Sequence, residues 1–145
     1  MRGNQGIPVN RIDLQNLANE RIAEAKILFD AGKWSGAYYL AGYAVECGLK
    51  ACIAKLTKPE EFPDKNFGAK CWVHDIEQLV ELAGLKTKRN GDAGANVNLD
   101  ANWGIVRRWK ETSRYDQKTQ GDAQALYDAI TQNPDGVLLW IQLHW

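Results

Sequence analysis

Four polar side chains recur along an otherwise apolar stretch: Tyr39, Tyr43, Glu46 and Lys50, spaced four, three and four residues apart. On a helix that spacing stacks them on one face. Glu46 and Lys50, at i and i+4, form at the least an ion pair worth about 0.2–0.5 kcal/mol at a surface. Beside the two phenols they could also line a polar groove for a phosphate or a partner's carboxylate. A second group is cationic. Arg107, Arg108, Lys110, Arg114 and Lys118 fall within twelve positions, with Trp103 and Tyr115 close by. Basic side chains next to aromatic rings hold phosphates and stack bases. The same charges also suit a solvated face that is salt-bridged to acidic neighbours. His74 stands directly before Asp75. That position suits the start of a helix, and an imidazole there could also carry protons near neutral pH. The residues singled out for ligand binding are therefore Arg107, Lys110, Arg114, Tyr115, Tyr43, Glu46 and Lys50, with His74 as a candidate proton carrier.

Other chemistries have no support. The three cysteines, Cys47, Cys52 and Cys71, form no CxxC pair, and the chain has two histidines, His74 and His144. That inventory does not suit a zinc site or a secreted disulfide framework. Cys47 and Cys52 read as small core residues. No Gly-rich phosphate loop, HExxH, GxSxG or EF-hand pattern occurs. We therefore expect no cofactor and no metal. Residues 1–10 are polar and Gly-rich, unlike a signal peptide, and no apolar run reaches the roughly 20 residues that span a bilayer. The expectation is a cytoplasmic protein with no membrane association.

Charge sharpens the reading. Eighteen Lys and Arg balance eighteen Asp and Glu, so the protein as a whole has no net attraction to nucleic acid. Yet from Lys86 to Lys118 there are eight basic residues against four acidic ones. The positive charge is concentrated in that part of the chain.

The elements that must position these residues are helices. Strand-like alternation is missing, and apolar residues recur at three and four. After a loose leader over 1–10, a helix fits Arg11 to Asp30, with Leu14, Leu17, Ala18, Ile22, Ala25, Leu28 and Phe29 on one face and a stop at Ala31-Gly32. Ser35 then caps a longer helix running to about Leu56. Between Trp34 and Ala54 its only charges are Glu46 and Lys50, so it should be central and buried on most sides. Gly36, Gly42 and Gly48 within it predict close helix–helix approach. An irregular connection over Glu60–Cys71 precedes a third helix, with Asp75 and Gln78 in capping-box spacing and a stop at Gly84. Lys86 to Asn98 is polar, rich in Gly and Asn, and reads as a mobile surface loop. A fourth helix starts near Asn98 or Asp100 and buries Leu99, Trp103, Val106 and Trp109. Helical spacing carried onward would put Arg107, Lys110, Glu111 and Arg114 near one face. A fifth starts near Thr119, and the apolar end Val137–Trp145 forms a short last helix that docks on the core or joins an oligomer interface. The fold expected is all-α, an antiparallel bundle of five to six helices in one domain over 11–145.

The second helix, from Ala37-Tyr38-Tyr39 through Gly42-Tyr43-Ala44-Val45-Glu46 to Gly48-Leu49-Lys50-Ala51, resembles the signature helix of HEPN domains, a family named for nucleotide binding in higher eukaryotes and prokaryotes. The Arg21–Lys33 stretch before it, His74-Asp75-Ile76, Ser113-Arg114-Tyr115 and Trp140-Ile141 are similar to further family segments, in the same order. The resemblance implies a helical bundle that pairs as a homodimer. It also implies one of several roles: an RNase toxin or defence component, the partner of a small nucleotidyltransferase, or a nucleotide or RNA binder. The ribonuclease branch pairs an Arg with a His four to six residues later. Arg114 is followed by Tyr115 to Gly121 with no histidine. The expectation is therefore a non-catalytic binder of nucleotide, RNA or a nucleotidyltransferase. The alternatives are a metal-independent RNase, in which the resemblance makes Arg114 the catalytic candidate with His74 as the displaced histidine, and a pure interaction module.

Overall fold

The structure is a computed structural model and describes residues 9–56 and 72–145. Those residues form α1 (Arg11–Asp30), α2 (Trp34–Ala54), α3 (Ile76–Leu82), α4 (Lys86–Gly94), α5 (Val97–Val106), a 3-10 turn (Glu111–Tyr115), α6 (Gln120–Thr131) and α7 (Val137–Gln142), and contain no strand. The fold is all-α, as the periodicity predicts, with more helices than the five or six expected. The expected Glu60–Cys71 connection, most of the leader and Cys71 lie outside the described residues.

α1 has the predicted ends. Asn10 caps it in a reciprocal pair with Asp13: each side chain accepts from the other residue's backbone N–H. This satisfies amides that a helix start would otherwise leave open. Gly32 ends the hairpin turn with φ +77 and Gly84 closes α3 with φ +72, a region where a Cβ is strained. α2 starts two residues earlier than a Ser35 cap implies. Ser35 is not its cap; the Ser35 hydroxyl instead accepts from the Lys118 backbone N–H at 2.9 Å, tying α2 to the segment before α6.

α2 is the hub. It packs against α1, α3, α6, α7 and the 3-10 turn, and twelve of its residues are buried, Glu46 among them. Its glycines serve three different neighbours. Gly36 faces Leu28 of α1 and Gly48 faces Ile141 of α7, both helix contacts as expected. Gly42 instead receives the flat face of Trp109, which comes from a loop, so that close approach is helix to indole.

Two further sequence expectations need correction. Lys86–Asn98 is not a loop: it holds α4 and the start of α5, whose cap is Asn96. Its inward residues are Arg89 and Ala93, with Arg89 only 3% exposed. The Asp75–Gln78 box is half made, with Asp75 accepting from the Gln78 N–H and no return bond. The last helix follows the first of the two placements expected for Val137–Trp145 and docks on the core: Val137, Leu138, Trp140 and Ile141 are buried. Trp140 meets Trp103 edge-on at 5.8 Å.

The Arg89 guanidinium gives two hydrogen bonds to Glu77, at 2.7 and 2.8 Å, and lies 4.8 Å over the Trp103 ring. Those bonds, and then the charges of Arg89 and Arg107, hold the Glu77 carboxyl below its ordinary 4.5, against an opposing push from partial burial. A carboxyl whose folded value is depressed contributes stability that is present above its unfolded value and is lost as pH falls through the folded one. Glu77→Gln is thus expected to melt below wild type at pH 7. The gap should narrow steadily below about pH 4.5, and a gap that stays constant from pH 7 to pH 3 would contradict this.

Candidate functional site

The sequence-predicted residues fall into three groups, two of them along α2 and the third against α3. The first lies near its N-terminal half. Arg114 and Tyr115 end the 3-10 turn, with the Arg114 guanidinium 4.9 Å over the Tyr115 ring and its charge paired to Glu111. Tyr115 is 75% exposed, so the other face of that ring is open. The Tyr115 phenol, then that of Tyr39 and the Glu111 charge, raise Arg114 above the ordinary arginine value and keep it protonated. Tyr39 is also the neighbour of Tyr43 and of Trp109, each at 5.9 Å between ring centres. Four residues beyond Arg114, the Lys118 ammonium sits 4.6 Å over the ring of Tyr38. Two cation–aromatic pairs therefore belong to this end, one on each side of the link from the 3-10 turn to α6.

The second group lies two turns further along α2. Glu46 is 2% exposed, and its Oε2 accepts from Lys50 Nζ at 3.0 Å and from His74 Nδ1 at 2.9 Å. Tyr43 stands between the groups, half-buried; burial first, and then the neighbouring Cys47 and Glu46, raise its hydroxyl above the ordinary 10. The third group is Arg107 and Lys110, set against the acids of α3: Arg107 Nε lies 3.8 Å from Glu77 and Lys110 Nζ 3.5 Å from Asp75.

The predicted helical face of Arg107, Lys110, Glu111 and Arg114 does not form. α5 stops at Val106, Trp109 turns inward to 1% exposure, and the chain continues as a 3-10 turn. Arg107 and Lys110 thereby separate from Arg114. Nor do Arg114 and His74 meet. Arg114 adjoins Tyr39 and His74 adjoins Glu46, seven residues apart on α2, a rise of about 10 Å. Sequence reasoning missed Lys118 with Tyr38 as a stacked pair, and the bond from His74 to Glu46. The first pairs residues 80 positions apart and the second 28, so neither leaves a local signal.

Cys47 and Cys52 are buried, and loss of solvent pushes both thiols up to about 11. They are therefore inert core residues at neutral pH, as their surroundings in the sequence suggest. A concavity of about 550 Å³ lies elsewhere, between α4, α5 and α7, lined by Asp92, Leu99, Asp135, Trp140 and Leu143. Two polar pairs on its wall are closed within the chain: the Trp140 indole donates to Asp92, and Asn96 to Asp135. None of the predicted residues lines it.

Compared with known protein families, residues 13–132 match the model of the HEPN domain. The chain belongs to the HEPN domain family. The match covers α1 through the end of α6 and so includes every residue of the three groups. No curated protein and no solved structure gives a match. Membership of the HEPN family fits the all-α fold, with α2 as its hub, and points to nucleotide- or RNA-related function. No helix among the described residues is long and apolar enough to cross a membrane.

Proposed function

We propose that this HEPN domain binds short single-stranded RNA or nucleotides, without cleaving them, on the face formed by Arg114, Tyr115, Lys118, Tyr38 and Tyr39. The observation that carries the reading is the stack of Arg114 on Tyr115, whose outer ring face is open to solvent. A base can lie on that ring while the guanidinium takes a phosphate. Lys118 offers the next cation along. On family grounds the reading includes a homodimer, which sedimentation would show as twice the chain mass.

The test is the affinity for a labelled oligoribonucleotide, followed by fluorescence anisotropy across a salt series. Tyr115→Ala removes a stacking platform and should weaken binding by about 5- to 100-fold. Arg114→Ala should weaken it too, and reduce the salt slope by about 1. Unchanged affinity in both variants contradicts the reading.

The Glu46–His74 bond favours a second reading, in which His74 carries protons in metal-independent RNA cleavage. The distance between the Arg114 and His74 ends of the line counts against it within one protomer. RNA left intact by the wild type selects binding alone. Cleavage that disappears in both His74→Ala and Arg114→Ala selects the second reading.

A further inference from the structure

The RNA-binding face leaves one group unused. Glu46 is a charged side chain almost wholly removed from water, which is costly unless its oxygens are satisfied. Both of its partners, Lys50 and His74, donate to Oε2; Oε1 is buried with no hydrogen-bond partner. The two donors share one oxygen, so the ammonium and the ring nitrogen are within roughly 6 Å of each other. The His74 side chain is 47% exposed, so one edge of the ring is fixed on Glu46 and the other reaches solvent.

A carboxylate only accepts hydrogen bonds. In the neutral imidazole the proton therefore sits on Nδ1, and Nε2 is left as an acceptor on a ring that is about half exposed. Nε2 has no partner among the described residues. A ligand can answer that nitrogen only with a donor. An RNA strand running along α2 from a base stacked on Tyr115 presents its sugar–phosphate backbone about 10 Å on. Phosphate oxygens are acceptors, so the backbone has one donor to give, the ribose 2′-hydroxyl.

We infer that Glu46 is a positioning residue for His74, and that His74 Nε2 accepts a hydrogen bond from a ribose 2′-hydroxyl, so that the domain distinguishes RNA from DNA. The inference rests on the RNA-binding reading. It places the chemical discrimination at the far end of the polar line from the stacked pairs.

Two measurements test it. The first compares one oligonucleotide as RNA and as its 2′-deoxy form. Wild type should bind the RNA about two- to tenfold more tightly, the worth of one hydrogen bond. His74→Ala should bring the ratio to about one while leaving DNA affinity as it was. Arg114→Ala should weaken both forms and preserve the ratio. Equal wild-type affinities, or a ratio that survives in His74→Ala, overturn the inference. Should Arg114→Ala and Tyr115→Ala leave binding untouched while the His74-dependent ratio persists, the stacking face is wrong and the sugar contact stands. The second measurement is the long-range proton–nitrogen NMR spectrum of the His74 ring in the free protein. It should show the Nδ1–H form in wild type and a mixture in Glu46→Gln, whose RNA-to-DNA ratio should fall with DNA affinity unchanged. An Nε2–H ring in wild type, or a Glu46→Gln ring identical to wild type, removes the positioning role.

Discussion

Gly42→Ala is expected to destabilise the protein by about 3 kcal/mol, at the upper end of what overpacking a core costs. A Cβ at this position would stand 2.2 Å from Cδ1 and Nε1 of Trp109 and 2.3 Å from Cγ. These are ring atoms of a side chain that is 1% exposed and braced by Tyr39, so no flexible end can swing aside. Relief requires the whole segment from Arg107 to Tyr115 to lift from α2. Because that segment carries Arg114 and Tyr115, the variant should lose RNA affinity together with stability. Thermal unfolding should show a fall of about 10 °C, and anisotropy a parallel weakening. Gly91→Ala is the internal control. Nothing lies within 4 Å of its Cβ, and α4 continues through it, so it should be neutral or stabilise by up to about 1 kcal/mol. Equal effects of the two substitutions would mean that Trp109 does not sit where the structure puts it.

Arg89→Met should cost about 3 kcal/mol, the lower end of the range for breaking a buried ion pair. The lower end applies because Glu77 is 38% exposed and can regain water when its partner leaves. The substitution also removes the cation over Trp103 and the bond from Nε to Asn90 at 2.9 Å. Its signature is in the double variant. Arg89→Met with Glu77→Gln removes both charges, so it should be more stable than Arg89→Met alone. Urea unfolding of the four proteins gives the coupling directly. A double variant whose loss is the sum of the two single losses would show that the pair is solvated and contributes nothing.

These two sites also mark how far the sequence can be read. α1 was legible to the residue and α2 to within about two residues at each end, because their apolar positions repeat at helical spacing over twenty residues and Ala31-Gly32 separates them. α4 was not. Its nine residues, Lys-Thr-Lys-Arg-Asn-Gly-Asp-Ala-Gly, contain two glycines, and only Arg89 and Ala93 point inward. One of those is an arginine, buried because Glu77 and Trp103 receive it, and a hydrophobic pattern cannot reveal that. The expected basic face failed for a related reason. Helical spacing was carried past Val106, whereas burial of the Trp109 indole against Gly42 demands a break in the helix. The polar line on α2 was visible from spacing alone, but its partners were not. His74 and Arg114 reach it from distant parts of the chain, and only folding selects which end each one serves.

The central claim is that the ligand surface lies beside the N-terminal half of α2, at the two cation–aromatic pairs. Its most direct test is a proton–nitrogen NMR titration of the intact protein with a short single-stranded RNA. The account predicts that the largest shifts fall on Tyr38, Tyr39, Arg114, Tyr115 and Lys118, with Asp92, Trp140 and Leu143 unmoved. Shifts centred on the Trp140 concavity, or a spectrum that RNA leaves unchanged, would contradict it.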